Sequence, residues 1–387
     1  MGSEKMPEVT GVASEAHRVA RFADQFPVTN NIVYLNHAAV APLCRPAADA
    51  MKALVEEACL FGSLHYDKWM ESYSGLRRAT ARLINASPDE IAIVKNTSEG
   101  IATVALGIGW KPGDRVVAFR EEFPSNYYPW LRLEARGVEV RWLSIYDPLE
   151  RVAEAVRGAR LLAISYVNYL SGYRVNLTEI GRLCRAEGCF FLVDAIQGMG
   201  VLPLDVEESH VDALAADGHK WMLGPEGNGV LYVRKEWLDA IEPAEFGWTN
   251  PANYADYSSR DMTLRPDAGR YECGTLNTVG CFGLRAALEF LLSVGIDSIA
   301  PAVLAVTEQL ESGARAKGYE TMIPRTGDTG SGIVSLRHPA IDSRQVVSEL
   351  RRKRISAAPR QGWVRMSPHF YITPEQIDQV LEALPAA

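Results

Sequence analysis

The 387-residue chain is 47% hydrophobic and 23% charged, with a formal net charge of -8. This is the balance of a globular protein long enough to bury one large core and a smaller one. Its sign excludes the basic face that a nucleic-acid binder needs, and no apolar run reaches the length of a membrane span.

Met1-Gly2-Ser3-Glu4-Lys5-Met6 lacks the apolar stretch of a signal peptide, so a cytoplasmic location is expected. From about residue 90, short β-rich runs alternate with helical patterns. Ile91–Lys95 is predicted as a strand, Ser98–Ile108 as a helix, Arg115–Phe119 as a strand and Ser125–Arg136 as a helix. Val138–Leu143 follows as a strand, Val152–Arg157 lies in a helix, and Arg160–Val167, Leu177–Glu187 and Cys189–Val193 continue as strand, helix, strand. Val211–Ala216 and Gly229–Arg234 complete the series. Continuous apolar strands alternating with helices predict an α/β fold with a mainly parallel, doubly wound sheet. After about residue 265 the pattern becomes α+β. Helices are predicted over Gly283–Val294, Ile299–Ala316 and Ser343–Arg354 and from Pro374, with strands at Gly332–Arg337 and Trp363–Met366. The expected organisation is an N-terminal segment, 1–45, packing on a small domain; a large domain, 46–265; and the small C-terminal domain, 266–387. The six cysteines form no CxxC pair, and the seven histidines show no metal-ligand spacing.

Ligands of open α/β sheets bind beyond the carboxyl ends of the strands, and three such ends carry unusual chemistry. Thr97 and Ser98, between a strand and a helix, suit a phosphate at a helix N-terminus, or equally a capping box. Asp194 ends a strongly apolar strand. It suits either a turn or a charge-assisted bond to a protonated ring nitrogen, with Gln197 placed to reach a ring hydroxyl. Lys220 follows a buried strand and precedes a glycine-rich turn, where desolvation would make its amine nucleophilic toward an aldehyde. His219 beside it is a phosphate donor or a packed histidine. A phosphate cradle, a carboxylate and an amine are the three handles of pyridoxal phosphate (PLP).

Asp194 with Gln197, and the Gly218-His219-Lys220 triplet, resemble the class V aminotransferase family, which includes cysteine desulfurases, selenocysteine lyases, isopenicillin N epimerases and kynureninases. The resemblance implies a fold-type-I PLP-dependent transferase, with the cofactor carried on Lys220 as a Schiff base. Tyr34–Ala39 is similar to the segment lining the substrate mouth, which nominates Asn36 and His37. Glu122–Asn126 resembles the loop whose ring lies over the cofactor, making Phe123 the candidate. Val167–Gly172 resembles the segment whose asparagine, here Asn168, lies beside cofactor and substrate. Glu272–Thr275 resembles the element reaching the phosphate from a partner subunit, implying a homodimer in which Thr275 crosses the interface. Val364–Tyr371 resembles the substrate-carboxylate motif, with Arg365 as the grip. Asp217 departs from the family pattern, which has a small residue there.

These residues imply an L-amino-acid substrate, an external aldimine and a Cα carbanion, an opening common to the whole family. In persulfide-forming desulfurases a nucleophilic cysteine precedes the carboxylate-binding arginine. The corresponding stretch here, Ile355–Trp363, is short and has none. An enzyme persulfide is therefore not expected, and the resemblance of the Arg365 motif and of Asn168–Gly172 to desulfurase-related lyases implies a C–S β-lyase on a cysteine-type substrate, with transamination or epimerisation as alternatives. A non-catalytic, regulatory protein of the same fold would lack the lysine, aspartate or arginine, and all three are present.

Overall fold

A computed structural model describes residues 21–323 and 326–386. Its strands are β1 Val33–Tyr34, β2 Ile91–Val94, β3 Arg115–Phe119, β4 Glu139–Leu143, β5 Leu161–Ser165, β6 Phe190–Asp194, β7 Ala213–Asp217, β8 Gly229–Val233, β9 Glu320–Thr321, β10 Val334–Arg337, β11 Ile355–Ser356, β12 Ala358–Arg360 and β13 Trp363–Met366. Its α-helices are α1 Arg45–Phe61, α2 Tyr66–Ile84, α3 Thr97–Gly107, α4 Tyr128–Glu134, α5 Leu149–Val156, α6 Leu177–Glu187, α7 Thr278–Val294, α8 Ile296–Ala316, α9 Ser343–Arg352 and α10 Pro374–Ala383.

The large sheet runs β2-β8-β7-β6-β5-β3-β4. All neighbours are parallel except β8, which is antiparallel to both β2 and β7. Strands β5, β6 and β7 are buried along their whole length, as their unbroken apolar runs require when helices cover both faces. The fold is the expected α/β arrangement.

Two local departures have physical causes. Ser125–Arg136, expected as one helix, is a 3-10 turn at Pro124–Asn126 followed by α4. Pro129 lacks an N–H and is tolerated only in a first turn, so the helix starts at Tyr128. The helices α1 and α2 have no counterpart in the sequence reading. Only Ala47 and Leu54 of α1 are buried, too few to trace an apolar stripe.

Close packing sets the height of α3. A Cβ on Gly100 would lie 2.8 Å from the Cβ of Ala215, so glycine lets the helix settle directly on β7. Its N-terminus then meets the end of that strand, where the Thr97 hydroxyl accepts the backbone N–H of Asp217 (3.0 Å).

The C-terminal sheet is antiparallel, in the order β12-β13-β10-β9, and β1 pairs in parallel with β11. Phe26 stacks on Tyr371 with ring centroids 3.8 Å apart, tying the described start of the chain to its end. The stretch before Arg365, Ile355–Trp363, is strand for most of its length. β12 and β13 form a hairpin closed by Gln361 and Gly362, with φ of 48° and 84°. Positive φ at both positions is the signature of a two-residue type I′ turn.

The segment carrying Thr275 is anchored by a buried carboxylate. Glu272 takes a forked ion pair from Arg77 Nη2 (2.7 and 2.6 Å) and the backbone N–H of Ile93 (2.9 Å). Burial weighs against the Arg77 charge, but Glu272 outweighs it and holds the guanidinium above its ordinary value. Glu272→Ala would leave that charge buried and unpaired, and is expected to cost about 3–5 kcal/mol. An unchanged urea midpoint would refute this.

Candidate active site

Residues from the ends of β6 and β7, the start of α3, the 122–126 loop and the β12–β13 hairpin converge on one cavity of about 690 Å³. Its lining includes Thr97, Ser98, Phe123, Gln197, His219, Lys220 and Arg365. These seven, widely separated in sequence, are brought together by the strand order.

Lys220 is 9% exposed. Burial pushes its amine down to about 8; the Asp194 charge opposes this, while Arg365 and Arg360 reinforce it. Its Nζ lies 5.7 Å from the Phe123 ring centroid. Asp194, at the end of the neighbouring strand, is itself pushed up by burial to about 6, against the N–H of Ile196 and the charge of Lys220. In the cofactor-free protein, aldehyde capture by Lys220 should therefore rise with pH through about 8, as the ammonium loses its proton. A midpoint near the ordinary 10.5 in stopped-flow absorbance would contradict the burial argument.

Gln197 is held at both ends. Its Nε2 donates to the Ala38 carbonyl (3.0 Å), and its Oε1 accepts the Trp221 indole N–H (2.8 Å). One amide hydrogen remains for a ligand. Ser98 and Ser125 hydroxyls lie 2.7 Å apart. Asp217 Oδ1 and His219 Nδ1 are 3.0 Å apart but not aligned as a hydrogen bond, leaving both buried atoms without a hydrogen-bond partner. Arg365 donates from Nη1 to the Tyr169 carbonyl (2.6 Å), while its buried Nε has no partner. Burial, with Arg360 second, pushes this guanidinium down to about 10.

Besides Asp194, which is coupled to Lys220 by charge but sits outside the lining, four of the expected residues are absent from this cavity. His37 is fully buried, its Nδ1–H donating to the Ser367 carbonyl (2.8 Å) and its Nε2 accepting from the Tyr371 hydroxyl (2.7 Å). Both nitrogens are occupied, and burial, followed by the charge of His369, holds the ring neutral. Its ring is spent on Ser367 and Tyr371 and does not line the cavity. Asn36 is absent from the cavity lining; its backbone bridges to Ser367, although its buried Oδ1 has no partner. Asn168 lines a neighbouring cavity of about 450 Å³ instead. Its Oδ1 accepts from the N–H groups of Leu170 and Ser171 and from the Ser171 hydroxyl, and its Nδ2 donates to Glu121 O. A buried turn with free N–H groups consumes the side chain. Thr275, expected to act across a subunit interface, is exposed and lines no part of its own chain's cavity.

The sequence reading assigned no role to Glu122 or Trp221. Glu122 accepts the Ser165 N–H (2.6 Å) and the Ser165 hydroxyl, and burial pushes its carboxyl up to about 8. A carboxylate in a proline-containing loop carries no sign of burial, so no local pattern could have found it.

The cavity fits PLP. It offers a desolvated amine, hydroxyls at a helix N-terminus and the orphaned Nδ1 of His219, and the buried Asp194 carboxylate, outside the lining, is electrostatically coupled to that amine. Residues 33–380 match the family described as Aminotransferase class-V. The chain belongs to the class V aminotransferase family. Members of this family are PLP-dependent enzymes, and this chain is one of them. It is 31% identical to a probable cysteine desulfurase of Pyrococcus abyssi, covering 92% of this chain and 94% of that one. It is 27% identical to the uncharacterized aminotransferase YcbU of Bacillus subtilis, over 96% and 98% of the two chains. Among solved structures, the apo cysteine desulfurase of Thermococcus onnurineus NA1 superposes with a TM-score of 0.86 at 27% identity, covering 99% and 98%. The cystine C-S lyase C-DES, solved with its product cysteine persulfide, gives a TM-score of 0.86 at 26% identity, covering 92% and 98%.

Proposed function

We propose that this class V enzyme is a C–S β-lyase that acts on a cysteine-type L-amino acid without forming a persulfide on its own chain. The observation that carries this reading is the composition of the cavity. None of the six cysteines lines it, and the hairpin before Arg365 closes on Gln361-Gly362. A tight, paired turn offers no mobile thiol to receive sulfur. The likeness to a cystine C-S lyase supports the same class of reaction.

In this reading PLP, when bound, supplies the electron sink for the bonding electrons released at the substrate Cα. Lys220 covalently anchors the cofactor and then, as a free amine, moves the Cα proton. Asp194 keeps the proton on the ring nitrogen through a charge-assisted bond. Gln197, fixed by Trp221 and Ala38, would offer its remaining amide hydrogen to the ring hydroxyl. Thr97, Ser98 and His219 would hold the phosphate, joined by Thr275 from a partner subunit in a homodimer, and Phe123 would lie against the ring. Arg365, buried and lacking an acidic partner among the described residues, holds the α-carboxylate. Because a lysine cannot reproduce the fork, Arg365→Lys is expected to raise KM about ten-fold or more. An unaltered KM would remove Arg365 from substrate binding.

The test is product analysis after L-cysteine, L-cystine and S-substituted cysteines are added to the holoenzyme. Pyruvate and ammonia support the lyase. A pyridoxamine form that needs a 2-oxo acid to recycle would make the enzyme an aminotransferase, and a D-amino acid would make it an epimerase.

A further inference from the structure

The hairpin that carries Arg365 also carries Arg360, and strand register determines where both point. Ala358 pairs with Arg365, and Arg360 pairs with Trp363. Paired residues share a face and alternate residues repeat it, so Arg360 and Arg365 are diagonal neighbours on one face. Both line the Lys220 cavity, Arg365 buried and Arg360 exposed. The turn between them is tethered: Gln361 Nε2 donates to the Tyr169 hydroxyl (2.8 Å), and the Tyr169 carbonyl takes Arg365. Gln361 adopts a positive φ that glycine would favour, so the contact holds an unfavourable backbone in place.

This arrangement gathers like charges. Arg360 repels both Lys220 and Arg365, lowering the proton affinity of each. Two of the three cations have an assigned anion. Lys220 has Asp194 beside it, and Arg365 has the substrate α-carboxylate in the reading above. Arg360 has none. Its guanidinium donates only to the adjacent Pro359 carbonyl (3.1 Å), and no acidic side chain among the described residues pairs with it. Another arginine of the same sheet, Arg337, illustrates the usual compensation, being paired with Glu320 and stacked on Trp363.

We propose that Arg360 is a specificity residue that selects amino acids whose side chain ends in a second anionic group, a carboxylate or a sulfur oxyacid. This rests on the placement of Lys220 and Arg365 in the proposed function and adds the substrate's distal charge. A charge-assisted bond at the cavity mouth discriminates between side chains that Lys220 and Arg365 treat alike.

The test uses the holoenzyme and three thioether amino acids of similar length but different terminal charge: S-carboxymethyl-L-cysteine, S-ethyl-L-cysteine and S-(2-aminoethyl)-L-cysteine. Affinity is read from the change in the cofactor's visible absorption on rapid mixing, before turnover. The wild-type protein is expected to prefer the carboxymethyl probe over the ethyl probe by about ten-fold or more. R360Q should collapse that ratio toward one, R360K should retain part of it, and R360E should turn the preference toward the aminoethyl probe. The proposal is overturned if the wild-type ratio is near one, if R360Q weakens all three probes by one factor, or if R360Q loses PLP instead of selectivity. Pyruvate release, measured in parallel, decides the lyase reading separately, since the affinity pattern does not depend on which products form.

Discussion

Lys220→Ala is expected to lower turnover by roughly four orders of magnitude or more, because one side chain both anchors the cofactor and moves the Cα proton. The fold should survive. The substitution removes a cation that burial already disfavours, its amine being pushed down to about 8, so the thermal midpoint should hold or rise. Three readouts should agree: loss of the lysine-linked visible band, no borohydride-fixed adduct at residue 220, and partial rescue by a small exogenous amine that supplies the proton transfer. A variant that keeps the visible band and the adduct would transfer the anchoring role to another lysine and undo the site as described.

Asp194→Asn should be the second largest loss. Asparagine keeps the shape of the side chain, and its Oδ1 can still take the Ile196 N–H, but it has no charge with which to hold a proton on a ring nitrogen. A charge-assisted hydrogen bond contributes about 1.5–3 kcal/mol, which corresponds to roughly 10- to 100-fold in rate. The weakened electron sink adds to that loss. Asp194→Glu retains the charge but lengthens the side chain where the strand end is closely packed, and should recover only part of it. The discriminating measurement is the pH dependence of the cofactor's absorption. In the wild-type protein the buried carboxylate should keep the ring nitrogen protonated to higher pH than in D194N. Superimposable titrations would mean that Asp194 does not face the ring. Glu122 adds a further consequence. Its carboxyl is pushed up to about 8 chiefly by burial and also by the charge of Asp194, whereas Asp194 is pushed up only to about 6.

Much of this was legible in the chain itself. Leu161–Ser165 and Phe190–Asp194 are unbroken apolar runs that can be buried on both faces only in a helix-covered sheet. Asp194 and Lys220 stood out because a charge at the end of such a run demands a partner. Arg365 is marked by its motif, since one arginine in a four-residue strand carries no periodic signal. Pro129 illustrates the limit of periodicity: the apolar spacing continued through it, whereas the missing N–H decided where the helix began.

The amino-acid sequence by itself determined the strand–helix alternation and which side chains end strands with charges, because both follow from local apolar periodicity and from the cost of an unpaired buried group. The tertiary structure alone decided how each polar side chain is spent. Asn168 goes to turn N–H groups and His37 to Ser367 and Tyr371, while Arg360 and Arg365 share one face through hairpin register. Those outcomes depend on partners up to 334 residues apart in the chain, a distance over which no local pattern carries information.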